Sequence, residues 1–490
     1  MDVSILHKKD SLPVWKYFNE ILKIPRPSKK EEKIRDYLVR FGKERQLETL
    51  VDDVGNVLIR KPAYPGYEQR MPVILQSHMD MVPAKNPALA FDFEKDPIPA
   101  FVEGNWIRTK GTTLGADDGI GVAAALAVLD TDDLRHGSLE ALFTVDEESG
   151  MTGARNLPAG WLKGGILINL DSEDEGELFI GCAGGQDTSA LFHVFYEPVP
   201  ENDKAYHLVI DGLSGGHSGD EIDKGHANAI KLATRFLWQA TQELDISLSR
   251  LTGGTLRNAI PPEAEALFTV HESKKEELLT SFETFSKMVK AEYQYTDPQM
   301  NLGLAEAEKP ADVLPPDVQK QLLLSLYGCW HGVYSWSRTI PGLVQTSTNL
   351  ALVRVDGGKI TVDTSQRSSL ESEKKVMAET VASVFRLAGA EISFGDDYPG
   401  WTPNPDSLIL KITEESYRRL FRKDPAVKAI HAGLECGLFL EKYPDMDMIS
   451  FGPTIRGAHT PEEKLDIEST RRFWKLLVDV LVNVPSHKSP

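Results

Sequence analysis

Five short segments of this chain gather side chains that can hold a cation or move a proton. The first is Leu75-Gln76-Ser77-His78-Met79-Asp80. His78 and Asp80 stand two residues apart, so on a strand both point to one face. A metal-bound imidazole usually has a partner on its second ring nitrogen, and a carboxylate two residues on is one way to supply it. The second segment is Gly115-Ala116-Asp117-Asp118-Gly119 and the third Val145-Asp146-Glu147-Glu148-Ser149-Gly150. The fourth is Asn169-Leu170-Asp171-Ser172-Glu173-Asp174 and the fifth Gly457-Ala458-His459-Thr460-Pro461-Glu462. Taken singly, each has a plain explanation: a structural histidine at a strand end, a helix cap at Asp117 and Asp118, a solvated acidic loop.

The elements that must position these residues change that reading. Residues 71–76, 140–145 and 165–170 are compact apolar runs that predict buried strands. Between the first two, GIGVAAALAVL over 119–129 predicts an Ala-rich helix able to pack tightly on a sheet. Upstream, 14–24 predicts an amphipathic helix, and Ser28 with Glu31 predicts a capping box opening a second helix that runs to about Arg45. Strands alternating with helices predict an α/β layer architecture with a mostly parallel sheet.

The middle of the chain changes character. Over 187–395 the pattern is α+β, with strands at YHLVIDGL, ALFTVHE, LALVRVD and KITVDTS and helices near 227–244, 273–293, 316–332 and 371–389. Two similar strand–helix–strand halves are expected within it. The α/β pattern then resumes with helices at 406–421, 433–442 and 468–483 and strands at 426–431 and 446–451. The expected layout is one α/β domain in two parts, 1–186 and 396–490, interrupted by an inserted α+β domain over 187–395.

In open α/β sheets, sites gather beyond the carboxyl ends of the strands. Three such ends would supply His78 with Asp80, Glu147 with Glu148, and Asp171; a helix start adds Asp117 and a loop adds His459. Imidazole and carboxylate without thiolate suit zinc, with cobalt or manganese compatible with the same ligands. Five ligands exceed one open tetrahedral site. They fit two divalent ions about 3.5–4 Å apart, bridged by one carboxylate. One acid beside them, Glu147 or Glu148, is then left to act as general base. The chain has no HExxH helix and no Walker A loop.

Composition narrows the surroundings. With 54 Lys and Arg against 73 Asp and Glu, the 490 residues carry a formal charge of −19. Such a chain repels polyanions, which argues against nucleic acid or an anionic membrane as partner. The three cysteines, Cys182, Cys329 and Cys436, are odd in number, widely spaced and without a CxxC pair, so neither a disulfide framework nor a thiolate zinc site is expected. No run reaches 18 apolar residues, and the first residues show no secretory pattern. A cytoplasmic setting is expected.

The order of these motifs resembles the dinuclear-zinc exopeptidases of the aminoacylase, glutamate carboxypeptidase and tripeptidase group. The phrases LQSHMDMV, TLGADDGIGVA, FTVDEESGMTGA, INLDSEDEGELFIGCAGG, GLSGGHSG, RNAIP, HAGLECG and SFGPTIRGAHTPEE resemble its aminoacyl-histidine dipeptidase (Xaa-His dipeptidase, carnosinase-like) branch, over nearly the whole chain. The resemblance implies a zinc-exopeptidase-like catalytic domain with an inserted lid. It implies that His78 and Asp171 bind one zinc, that Glu148 and His459 bind the other, and that Asp117 bridges them. Asp80 would hold the His78 ring and Glu147 would be the general base. Asp171 stands where many of the wider group carry Glu.

The inserted domain resembles the lid of the group. There His217, in GLSGGHSG, matches a histidine proposed to hold the carbonyl oxygen in the transition state. Asn258 in RNAIP, Arg367 in DTSQRSS and Glu435 in HAGLECG are candidate substrate contacts. A guanidinium suits a peptide's terminal carboxylate, and an acid suits its amino group. The implied activity is hydrolysis of short peptides with a free N-terminus, notably Xaa-His dipeptides. Deacylation of N-acyl amino acids is the alternative on the same metal site, since both reactions attack an amide. Lids of this group often pair two copies, so a homodimer is compatible; a lid with two halves could also take the partner's place internally.

Overall fold

Every residue of Val73–His78, Leu139–Thr144 and Ile166–Asn169 is buried, so both faces of these strands need cover. In the structure, a computed structural model that describes residues 3, 6, 12–356 and 358–486, they lie side by side and parallel at the centre of an eight-stranded sheet. Asp447–Ser450 adds a fourth parallel strand beside Ile166–Asn169. Next to this group, Val57–Lys61 and Glu177–Cys182 run antiparallel to their inner neighbours. The register sets His78 opposite Thr144, and Gln76 and Ser450 opposite Asn169. Four carboxyl ends therefore finish along one edge.

The helix Ala116–Leu129 is buried at every position. Its run of alanines lets it lie close against Val73–His78 and the helix Pro13–Ile21. Asp117 and Asp118 carry non-helical backbone angles, so the regular helix begins after them. The capping box expected at Ser28 and Glu31 does not form. Ser28 Oγ donates to Met81 O, while Glu31 Oε1 accepts the N–H groups of Lys29 and Asp146. The buried Asp146 amide has more to lose without an acceptor than an exposed helix end does. The second helix, Glu32–Glu44, starts with no side-chain cap.

The chain divides into two compact units. One comprises Met1–Gly181, Trp401–Ala429 and Leu434–Pro490; the other comprises Cys182–Gly400 and Ile430–Gly433. The second is built on a nine-stranded sheet whose pairings are antiparallel. Its two halves share the order strand, helix, strand, strand, helix, strand. In the first half the strands are Asp203–Asp211, Ser247–Gly253, Ala264–His271 and Asn301–Ala307; in the second they are Gly184–His193, Val344–Asp356, Lys359–Ser368 and Glu391–Tyr398. Their spatial orders mirror each other across the seam where Leu251 pairs with Val355 and Gly253 with Val353. Four helices, Ala229–Leu244, Lys275–Glu292, Pro316–Gly328 and Glu371–Leu387, contribute side chains to one apolar core with this sheet. Among the described residues no helix is long and apolar enough to cross a membrane.

Phe236 is fully buried in that core, with the Phe285 ring 5.2 Å and the Phe268 ring 6.4 Å away. Phe236→Ala is expected to destabilise the second unit by about 3–5 kcal/mol, read as a lowered urea midpoint.

Candidate metal centre

The strand ends deliver the side chains, and hydrogen bonds to neighbouring turns aim them. His78 closes its strand and is only 1% exposed. Its Nε2 lies 3.0 Å from Asp117 Oδ1 and 3.5 Å from Asp171 Oδ1, and its Nδ1 lies 3.3 Å from Asp80 Oδ1. Asp80 does more than face the ring. Its two oxygens accept the N–H groups of Glu147 at 3.1 Å and Glu148 at 3.3 Å. One carboxylate thus fixes both the imidazole and the turn that bears the two glutamates.

That turn starts at Asp146, whose φ of 51° lies in the left-handed region. Glu31 accepts its N–H, and its carboxylate takes the Thr152 hydroxyl. Opposite, Asp117 uses both oxygens: Oδ1 faces His78 and Oδ2 lies 3.0 Å from His459 Nε2. The same His459 nitrogen is 2.9 Å from Glu148 Oε2. Three overlapping groups have ligand atoms within 4.8 Å of one another: His78, Asp117 and Asp171; Asp117, Glu148 and His459; His78, Glu147 and Glu148. Asp118 turns away and accepts the Gly121 N–H at 3.1 Å, as a helix cap does.

Electrostatics follow from this crowding. Burial favours the neutral Asp117 carboxyl, but the hydrogen bonds from His459 and His78 outweigh it and hold the group well below the usual carboxylate range. Hydrogen bonds to Asp117 and Glu148 push His459 up to about 11. Burial pushes Glu147 well above its ordinary value, and the Glu148, Glu435 and Asp117 carboxylates add to it. Burial, with the Asp117 charge, does the same to Asp171. The side chains by themselves are therefore short of positive charge. Glu148 Oε1 is buried with no hydrogen-bond partner. Imidazole nitrogens, surplus buried carboxylates and an unpartnered oxygen fit divalent cations.

Glu435 is set into the sheet rather than standing free at its surface. It is 1% exposed, and its Oε2 accepts from Gln76 Nε2 at 2.6 Å and Thr144 Oγ1 at 2.7 Å. The other candidates lie in the second unit. His217 is half-buried, with Gly219 N–H 3.3 Å and Asp220 Oδ2 3.1 Å from its Nδ1. Ser218 N–H donates to Asn258 O and His217 bridges to Ala259, so the loops of His217 and Asn258 run side by side. Arg367 is buried and donates to the Tyr398 hydroxyl at 2.8 Å.

Arg26 and Glu463 escape sequence reasoning, yet both are buried against the centre. Arg26 donates to the carbonyls of Met79, Asp80 and Gly115. Glu463 accepts from the backbone of Leu114 through Asp117. Their partners are main-chain groups, which leave no pattern of residue types.

The peptidase family M20/M25/M40 matches residues 74–483, a span that includes His78, Asp80, Asp117, Glu147, Glu148, Asp171 and His459. The chain belongs to that family. The cytosol non-specific dipeptidase of Escherichia coli K12 is 43% identical over 484 residues, covering 99% of this chain and all of that protein. The crystal structure of an aminoacylhistidine dipeptidase from Vibrio alginolyticus is 42% identical, covers 99% of both chains and superposes with a TM-score of 0.91. Aminopeptidase PepT from Bacillus cereus, at 16% identity, 96% and 98% coverage and a TM-score of 0.57, shares the fold. This M20 chain is an enzyme, a metallopeptidase, as the motif order implies.

Burial pushes Glu435 from 4.5 to about 7. The folded state then keeps a proton that the unfolded chain releases, so the stability this group contributes is complete below about pH 4.5 and lost as pH rises through 7. In metal-free protein, Glu435→Gln is expected to match wild type in urea unfolding at pH 5 and to exceed it at pH 8.

Proposed function

We propose that this M20 enzyme is a cytoplasmic dipeptidase that hydrolyses short peptides with a free N-terminus, notably Xaa-His dipeptides, with two divalent ions, zinc foremost. The observation that carries the reading is the Asp117 carboxylate, which faces His78 and Asp171 on one side and His459 and Glu148 on the other, with Glu147 left beside them. The names of the Escherichia coli and Vibrio relatives, which span the same length, support the substrate class and the compartment.

His78, Asp171 and Asp117 would hold one ion; Asp117, Glu148 and His459 would hold the other. Ions bound there would polarise the scissile carbonyl and acidify a water. Glu147 takes the proton of the attacking water and passes it to the leaving nitrogen. Its neighbours raise its proton affinity, which suits a group that must hold a proton between two steps. Asp80 keeps that base in place through the Glu147 N–H, while it steadies the His78 ring.

The second unit enters the proposal through three side chains. His217 Nδ1 stands between the Gly219 N–H and Asp220 Oδ2, and its Nε2 would donate to a developing oxyanion. Arg367 would take the terminal carboxylate of the peptide, and Asn258 would contact its backbone.

Glu147→Gln is expected to lower kcat at least about 10³-fold while metal content, read by mass spectrometry, stays at two ions per chain. Loss of metal or substantial residual turnover would remove Glu147 from its role. His217→Ala is expected to lower kcat about 10²–10³-fold with little change in KM. A panel of Xaa-His dipeptides, other dipeptides and N-acetyl amino acids decides the substrate. Faster turnover of the N-acetyl compounds would make the enzyme a deacylase.

A further inference from the structure

The strand end accounts for where His78 stands, but not for how Asp117 comes to face two imidazoles. Asp117 lies outside the regular helix, with φ −78° and ψ 113°, in a segment with no side-chain cap of its own. Four successive N–H groups of that segment converge on one carboxylate. Leu114 and Gly115 donate to Glu463 Oε2 at 2.7 and 2.9 Å, and Ala116 and Asp117 donate to Oε1 at 2.7 and 3.3 Å. Glu463 is 2% exposed. From the other side, the Arg26 guanidinium takes Gly115 O with one nitrogen and the carbonyls of Met79 and Asp80 with another. Gly115 is gripped on both sides and has φ 68°; a Cβ there would meet Arg26 Nη2 at 2.7 Å and Met81 Sδ at 2.8 Å. Only glycine fits.

We infer that Glu463 is a positioning residue: it clamps the backbone of Leu114–Asp117 and so sets the Asp117 carboxylate between His78 and His459. The inference rests on the reading of these three residues as metal ligands. Glu463 follows His459 by one short turn, in which Glu463 N–H returns to Thr460 O and Thr460 N–H to Gly457 O. The bridging carboxylate and one histidine are thereby joined through a single side chain. The work needs a carboxylate. Each oxygen serves two amides, whereas a glutamine would offer one oxygen to two of them and turn its NH₂ toward the others. An aspartate is one methylene too short to keep both pairs.

The test compares wild type, Glu463→Gln and Glu463→Asp. Zn²⁺ affinity is measured by competition with a chromogenic chelator, coordination by the visible spectrum of the Co²⁺ form, and kcat and KM on a dipeptide at limiting and excess Zn²⁺. Both variants are expected to bind the weaker ion about 10–100-fold less tightly. Their Co²⁺ spectra should differ from wild type. At limiting metal kcat should fall about 10–100-fold, KM should stay within about twofold, and excess Zn²⁺ should restore most of the loss. A variant with wild-type affinity and spectrum overturns the clamp, whatever its melting temperature, and so does activity lost with metal affinity intact. Failure of both variants to fold, even when refolded with excess Zn²⁺, makes Glu463 a folding element and also overturns it. Wild type that binds no ions overturns the metal reading itself. Wild type that binds two ions but cleaves no peptide overturns the proposed function and leaves the metal titration to judge the clamp.

Discussion

Like charges cannot be packed together out of water unless something of opposite sign stands among them. At the edge of the parallel strands, Asp80, Asp117, Glu147, Glu148 and Asp171 crowd around His78 and His459, all within one unit of the chain. Asp117 answers the constraint most directly, with an imidazole on each oxygen. The rest of the neighbourhood is arranged to keep that geometry. Asp80 locks the His78 ring and the glutamate turn together, Glu31 holds the head of that turn, and Arg26 ties the carbonyls of Met79 and Asp80 to that of Gly115. Main-chain donors and acceptors do most of this holding. They satisfy charged groups without competing for the ligand positions.

Glu147 illustrates how the same crowding becomes chemistry. A lone surface glutamate is a poor proton acceptor near neutral pH. Burial and three neighbouring carboxylates raise its affinity for a proton, which is the direction a general base requires. Glu148 differs from it by one position on the same turn, and its Oε2 is already committed to His459. Two adjacent, chemically identical residues thus take separate tasks because the backbone aims them at different neighbours.

Much of this was legible in residue types and spacing. The buried runs around residues 73–78, 139–144 and 166–169 are distinct, and acids or histidine at each end are readable as a ligand set. The antiparallel flanks of the sheet were not legible, because an apolar run carries no sign of its neighbour's direction. Ser28 and Glu31 match a capping box locally, yet a tertiary demand, the Asp146 amide, outcompetes the local one. Arg26 and Glu463 read as an ordinary loop arginine and one of two glutamates, since their partners are peptide groups. The likeness of the two halves of the second unit is faint along the chain for a topological reason. The second half's first strand, Gly184–His193, comes before the whole of the first half.

That displaced strand has a consequence for how the chain is made. Among the described residues Gly184–His193 pairs with Lys359–Ser368 and Glu391–Tyr398. The first half, residues 203–307, pairs its own four strands among themselves. During synthesis at about 5–20 residues per second, the first half can close while Gly184–His193 waits on the order of ten seconds or more for residue 359 to appear. For that interval a ten-residue strand with both edges open leaves the ribosome unpaired, a template for any other extended segment nearby. Its first residues are small or polar, Gly184, Gly185, Gln186 and Thr188 among them, and Asp187 adds a charge. A nascent chain with such a strand meets other chains less readily than one of unbroken valine and isoleucine would.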